Sequence, residues 1–166
     1  MIKKILILFS LVVISVSSYA QEKYNSFSFS VSRGVNMTND NPFYGFSIDY
    51  SRAIKNTPFS TGVAMMWDEE KDKNRYLQNV TVAYMVGYKI NDRWSIGSGI
   101  AKGFLNNENE RQEYQFSDGD WSTGLAGTYV LKVTPKHAIS ITSSLEYNIT
   151  QKEYCFSVDL NYILPW

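Results

Sequence analysis

Cys155-Phe156-Ser157-Val158-Asp159-Leu160-Asn161-Tyr162-Ile163-Leu164-Pro165-Trp166 is the stretch whose pattern decides the fold. Phe156, Val158, Leu160, Tyr162, Leu164 and Trp166 share one parity, and Cys155, Ser157, Asp159, Asn161 and Ile163 the other. A period of two is the mark of a strand. The second face is small and polar, whereas a soluble sheet usually turns Lys and Glu toward water. Segments of about ten residues that alternate apolar-out and polar-in, divided by turns, are the sequence mark of a transmembrane β-barrel.

The same rhythm recurs upstream. Phe27, Phe29, Val31 and Val35 oppose Ser26, Ser28, Ser30, Ser32 and Gly34, and Tyr44, Phe46, Ile48, Tyr50 and Ile54 oppose Gly45, Ser47, Asp49, Ser51 and Ala53. A third segment runs from Phe59 to Trp67, and a fourth from Tyr76 to Ile90 with Val80, Val82, Tyr84, Val86 and Tyr88 on one side. The fifth begins at Trp94 and puts Gly97, Gly99 and Gly103 on its small face, which implies a crowded interior. Trp121 to Val133 and Ala138 to Thr150 complete the set before the last segment. The expectation is an all-β, eight-stranded, antiparallel, up-and-down transmembrane barrel. Such a sheet must close, because in lipid an open edge leaves backbone groups without partners at several kcal/mol each.

The amino end predicts the compartment. Lys3 and Lys4 precede an apolar run from Ile5 to Val16, followed by small residues at Ser18 and Ala20. That pattern predicts a cleaved signal peptide over residues 1–20 and one barrel domain over 21–166. No Cys follows the expected cleavage point, so a lipid-anchored route has no support. Lys+Arg and Asp+Glu each number 16; without Lys3 and Lys4 the balance is 14 basic against 16 acidic, and nothing offers nucleic acid a basic face. Cys155 is the single cysteine, so it makes no internal disulfide and suggests no zinc site. No cofactor motif is present. A mean hydropathy of −0.25 argues against a helical membrane protein and permits a barrel, in which only alternate residues meet lipid.

Connections after the second, fourth and sixth segments read as short, and those after the first, third and fifth as longer and more polar. The charged stretch Asp68 to Asn74 and the polar stretch Leu105 to Asp118 are expected as loops. Short periplasmic turns and longer external loops are the rule for outer-membrane barrels. Tyr44, Trp67, Tyr88, Trp94, Trp121, Tyr154 and Trp166 gather near strand ends, where aromatic rings sit at bilayer interfaces, although Tyr and Phe also favour the cores of ordinary sheets.

An eight-stranded interior is just wide enough to be filled by side chains. By parity Asp49, Lys89, Lys132, Glu146 and Asp159 point into it, and buried charges are tolerated when paired, so a structural charge network is expected there. Arg33 and Lys102 take the outward parity near the external rim. There they would meet lipopolysaccharide phosphates or stand as solvated rim charges.

The leader, the alternating strands and the aromatic last residue resemble the small outer-membrane barrels of the OmpA/OmpX type over essentially the whole mature chain. The resemblance implies residence among outer-membrane lipid and lipopolysaccharide. It also implies recognition of Phe156, Val158, Leu160, Tyr162, Leu164 and Trp166 by the barrel-assembly machinery, with Pro165 departing from the usual form. Members of this class include tethering, adhesion-related and resistance-related proteins as well as lipid-modifying enzymes, so fold alone gives no function. The enzymes rely on a His with a Ser and an acidic partner. Here His137 lies in an expected turn, Ser140 is close in sequence, and Glu146 falls deep in the interior, which does not build that arrangement. Asp118-Gly119-Asp120 reads as a turn rather than a calcium loop. The expected function is therefore a non-enzymatic barrel with a structural or surface-interaction role and an unidentified surface ligand. A periplasmic or secreted lipocalin-like barrel that binds a small apolar ligand, with its large residues inside, and an outer-leaflet lipid-modifying enzyme stand as the alternatives.

Overall fold

A computed structural model describes residues 25–72, 75–105, 120–134 and 136–165. Eight strands follow one another: β1 (Asn25–Asn36), β2 (Asn41–Ala53), β3 (Phe59–Asp72), β4 (Arg75–Lys89), β5 (Trp94–Leu105), β6 (Trp121–Val133), β7 (Ala138–Asn148) and β8 (Glu153–Pro165). Each pairs antiparallel with its sequence neighbour, and β1 pairs with β8, so the sheet closes on itself. Closure satisfies the edges that lipid cannot. Pro165 keeps its place in that seam, in register opposite Ser26. The leader expected over residues 1–20 and Trp166 lie outside the described residues.

Tyr84, Val86, Ile141 and Leu160 are 51%, 43%, 37% and 50% exposed on the outer wall. A lipocalin-like barrel would turn those residues inward, and that alternative is rejected. Inside, Ala64, Ala83 and Ala101 are buried and stand in one row of consecutive register partners. Gly99 shows how tight this wall is, since a Cβ there would lie 2.6 Å from the carbonyl oxygen of Tyr84.

Three expectations are corrected. Asp68–Asp72 is strand rather than loop: it pairs with Arg75–Asn79 and carries the β3–β4 hairpin onward. Polar residues suit a strand once it rises out of hydrocarbon, so charge alone did not mark its end. The connection after β1 is likewise only Met37–Asp40, because β2 starts at Asn41. One long connection remains at this end, residues 106–120. The third correction concerns β6, where the register shifts between Val130 and Lys132. Such a bulge inserts a residue and reverses the parity beyond it.

Candidate functional site

The barrel has a terminal end, where Asn25, Pro165 and the turns 54–58, 90–93 and 134–137 lie, and a loop end, which carries 37–40, 73–74, 106–120 and 149–152. Between them the interior is filled differently on its two sides. On β1, β2, β7 and β8 it is lined by hydroxyls and amides. Ser28 and Ser47 donate to Asp49 Oδ2, each at 3.1 Å, and Ser30 donates to Asn161 Oδ1 at 2.7 Å. The Asn161 amide in turn donates to Ser140 Oγ at 3.1 Å and Thr142 Oγ1 at 2.9 Å, and the Thr142 hydroxyl lies 2.9 Å from that of Thr128 on β6. On β3, β4 and β5 the alanine row is packed by Met66 and Met85.

The predicted charge network is not what holds these groups. Asp49, Glu146 and Asp159 do occupy the small inner face: exposed Ile48 precedes Asp49, exposed Leu145 precedes Glu146, and Asp159 lies between exposed Val158 and Leu160. Lys132 does not: beyond the bulge it lies opposite Ile139, on the face that Ile141 and Leu145 present outward. Lys89 stays at the mouth of the terminal end, 59% exposed, and donates to Asp92 Oδ1 at 2.8 Å. Its hydrogen bond and charge hold the Asp92 carboxyl below the usual carboxylate range. Both lysines thus leave the acids, and serine hydroxyls satisfy Asp49 in their place. Asp68 and Glu70 join the inner face because β3 continues past Trp67; the alternation itself would have found them. Asp68 accepts from Asn79 at 3.1 Å and Glu70 from Asn41 at 2.9 Å. Among the described residues none of these five acids pairs with a Lys or Arg, and no group of three or more His, Cys, Asp or Glu is placed to hold a metal ion.

His137 does not meet Ser140 or Glu146. Its ring stacks on Tyr162 at 5.6 Å, Ser140 is wholly buried against Asn161, and Glu146 stands toward the loop end opposite Cys155. Asp120 accepts from Asn148 and Gln151, whereas Asp118 and Gly119 lie outside the described residues.

Outward aromatic rings form a belt at each end, built from direct cross-strand partners that attract each other edge to face or offset. Phe59–Tyr88 and Trp94–Tyr129 mark the terminal end, with ring centroids 5.2 and 4.7 Å apart. Phe46–Trp67 at 5.4 Å and Tyr147–Tyr154 at 4.8 Å mark the loop end. Arg33 lies over Tyr44, and Lys102 over Trp121, in the same loop-end belt. From Phe59 to Trp67 is roughly 27 Å of strand at about 3.4 Å per residue. A tilt of ~40° brings the height to roughly 20 Å, close to the ~25 Å apolar band of such barrels. Phe156, Val158, Leu160, Tyr162 and Leu164 all project outward within that band.

One device escaped the sequence reading. Asn36-Met37-Thr38-Asn39-Asp40 and Asn148-Ile149-Thr150-Gln151-Lys152 are the same turn used twice. Each Asn Oδ1 accepts from its Thr N–H, at 3.1 and 3.0 Å, and each turn ends on a left-handed residue, Asp40 at φ 59° and Lys152 at φ 61°. Each also grips an acid–aromatic pair at the start of the strand on its other side, β8 for the first turn and β6 for the second. Asn36 donates to Glu153 while Tyr154 N–H donates to Thr38 Oγ1; Asn148 donates to Asp120 while Trp121 N–H donates to Thr150 Oγ1. The repeated Asn-x-Thr was the available signal.

No family model and no curated protein sequence matches the chain. Solved structures do. The chain is similar to Neisserial surface protein A (NspA), with a TM-score of 0.62 and 10% identity, covering 86% of this chain and 96% of that one. It is similar to the N-terminal β-barrel domain of Pseudomonas aeruginosa OprF, with a TM-score of 0.55 and 14% identity, over 86% and 100% of the two chains. A de novo designed transmembrane β-barrel matches with a TM-score of 0.50 and 16% identity over 89% and 100%. The fold is that of the small eight-stranded outer-membrane barrels. A designed protein shares it, so the fold itself assigns no task.

Proposed function

We propose that the chain is an integral barrel of a bacterial outer membrane, exported by its leader, with a non-enzymatic structural or surface-interaction role. The single observation that carries this reading is the closed wall of exposed apolar side chains bounded by an aromatic belt at each end. In this reading the terminal end faces the periplasm and the loop end faces outward, since an even strand count returns both termini to one side. Recognition then falls to the β3–β4 hairpin and the 106–120 connection, because the other two loop-end turns are fastened to neighbouring strands. Arg33 and Lys102 meet lipopolysaccharide phosphates at the rim, and the outward residues of β8 with Trp166 present the assembly signal. The inner acids are structural, supported by hydroxyl and amide donors rather than by a continuous ion path.

Fractionation tests the membrane reading: the protein should resist extraction by high salt and migrate differently in gels before and after boiling. A salt-soluble protein with one mobility would end it. For orientation, a cysteine introduced between residues 106 and 119 should react in intact cells with a reagent that does not cross the outer membrane, and one at Lys136 should not. Lipid A of unchanged mass on expression separates this role from the lipid-modifying alternative.

A further inference from the structure

The outer wall is not uniform between the belts. An apolar groove of about 570 Å³ crosses β7, β8, β1 and β2, lined by Phe29, Val31, Phe46, Ile48, Leu160 and Tyr162 among others. Its residues fall in two successive rows: Ile48, Phe29 and Tyr162 are register partners, and so are Phe46, Val31 and Leu160. The next row toward the loop end is Tyr44, Arg33 and Val158. A guanidinium therefore caps one end of the groove, about 7 Å of strand beyond Val31. Its centre lies 5.8 Å from the Tyr44 ring centroid, and neither of its register neighbours is an acid. A guanidinium held against an aromatic face keeps N–H groups for bidentate contact with phosphate.

Resting on the orientation and rim reading above, we infer that this groove and Arg33 form one lipid site, occupied by lipid A with a phosphate on Arg33 and an acyl chain along Phe29, Val31, Phe46 and Leu160. The volume lies in the range of sites that hold a small ligand, ~300–1,000 Å³. Bulk hydrocarbon touches the rest of the wall, but here the anion contact and the recess coincide on the same strands. That coincidence selects a phosphorylated lipid over a neutral one. Lys102 lies across the barrel on β5, over Trp121, and belongs to the rim without sharing this groove.

Native mass spectrometry of the folded protein, released from detergent micelles containing lipid A or phosphatidylglycerol, tests the assignment. One lipid A should be retained per barrel, R33Q should weaken its retention at least tenfold, and V31W, which fills the recess with Arg33 intact, should do the same. L160W provides a second filling variant, and heat-modifiable mobility verifies that each variant is folded. K102Q, at the rim but outside the groove, should weaken retention less than R33Q does. If R33Q and K102Q weaken retention equally while V31W and L160W leave it unchanged, the rim reading survives and the groove site is overturned. Equal retention of phosphatidylglycerol overturns the choice of lipid A, and no retention by any variant overturns both readings.

Discussion

The two sides of the interior are filled by opposite chemistry on the same scaffold. Around Asn161, polar groups from β1, β2, β6, β7 and β8 satisfy one another through hydroxyls and amides. Around Ala83, three alanines and the side chains of Met66 and Met85 fill the space with no hydrogen bonds to make. The difference teaches that a narrow barrel need not be held by buried ion pairs. A hydroxyl donor stabilises a carboxylate without requiring a second desolvated charge, and small apolar residues fill space where the backbone already satisfies itself.

Four substitutions or titrations would break or sharpen that contrast. The largest effect is expected at Gly99, on the apolar side, where G99V forces a side chain against the Tyr84 carbonyl. Overpacking of this kind costs about 3 kcal/mol, and urea titration of the protein folded into lipid vesicles, followed by tryptophan fluorescence, should show that loss or no folding at all. On the polar side, N161L removes the hub of the network, leaves Ser140 without its side-chain partner and leaves Ser30 and Thr142 only Asp49 and Thr128. A loss of about 2–3 kcal/mol is expected by the same titration, and a neutral result would mean that the network merely fills space. M85A opens a void beside the alanines. Met85 is only partly buried, so a loss of about 1–2 kcal/mol is expected, below the range for fully buried methionines. A double variant, N161L with M85A, should be additive if the two sides are independent.

The smallest effect belongs to the Lys89–Asp92 pair, which lies outside both sides. Its Asp92 carboxyl titrates below its unfolded value, so the stabilisation is present above the unfolded pKa of ~3.9 and lost as the pH falls through the lower folded one. The aspartate is fully exposed, so acid titration of D92N against the parent protein should show curves that nearly coincide. A large divergence would restore ion pairing to a leading role.

Most of the wall was legible in the sequence because parity is a strict rule where one side meets hydrocarbon. β1 and β6 began and ended where the alternation did, at Asn25–Asn36 and Trp121–Val133. What parity could not show was its own interruption. Tyr129-Val130-Leu131-Lys132-Val133 reads as uninterrupted alternation, and only the pairing with β7 reveals the inserted residue that turns Lys132 outward. The end of β3 was misplaced for the opposite reason. Asp68 to Asp72 is charged, yet its backbone goes on pairing where solvent begins. The lumen acids Asp49, Glu146 and Asp159 were found by position, whereas their donors depend on which strands neighbour one another, and closure of β8 onto β1 decides that.

The twin turns bear on how the cylinder is finished. Thr38 belongs to the first hairpin and Tyr154 to the final strand, so their hydrogen bond spans the one seam at which the start of the barrel meets its finish. No partly assembled sheet can make it. The clasp exists only when the last staves stand side by side, and it fastens the join at the lip, where peeling apart would begin.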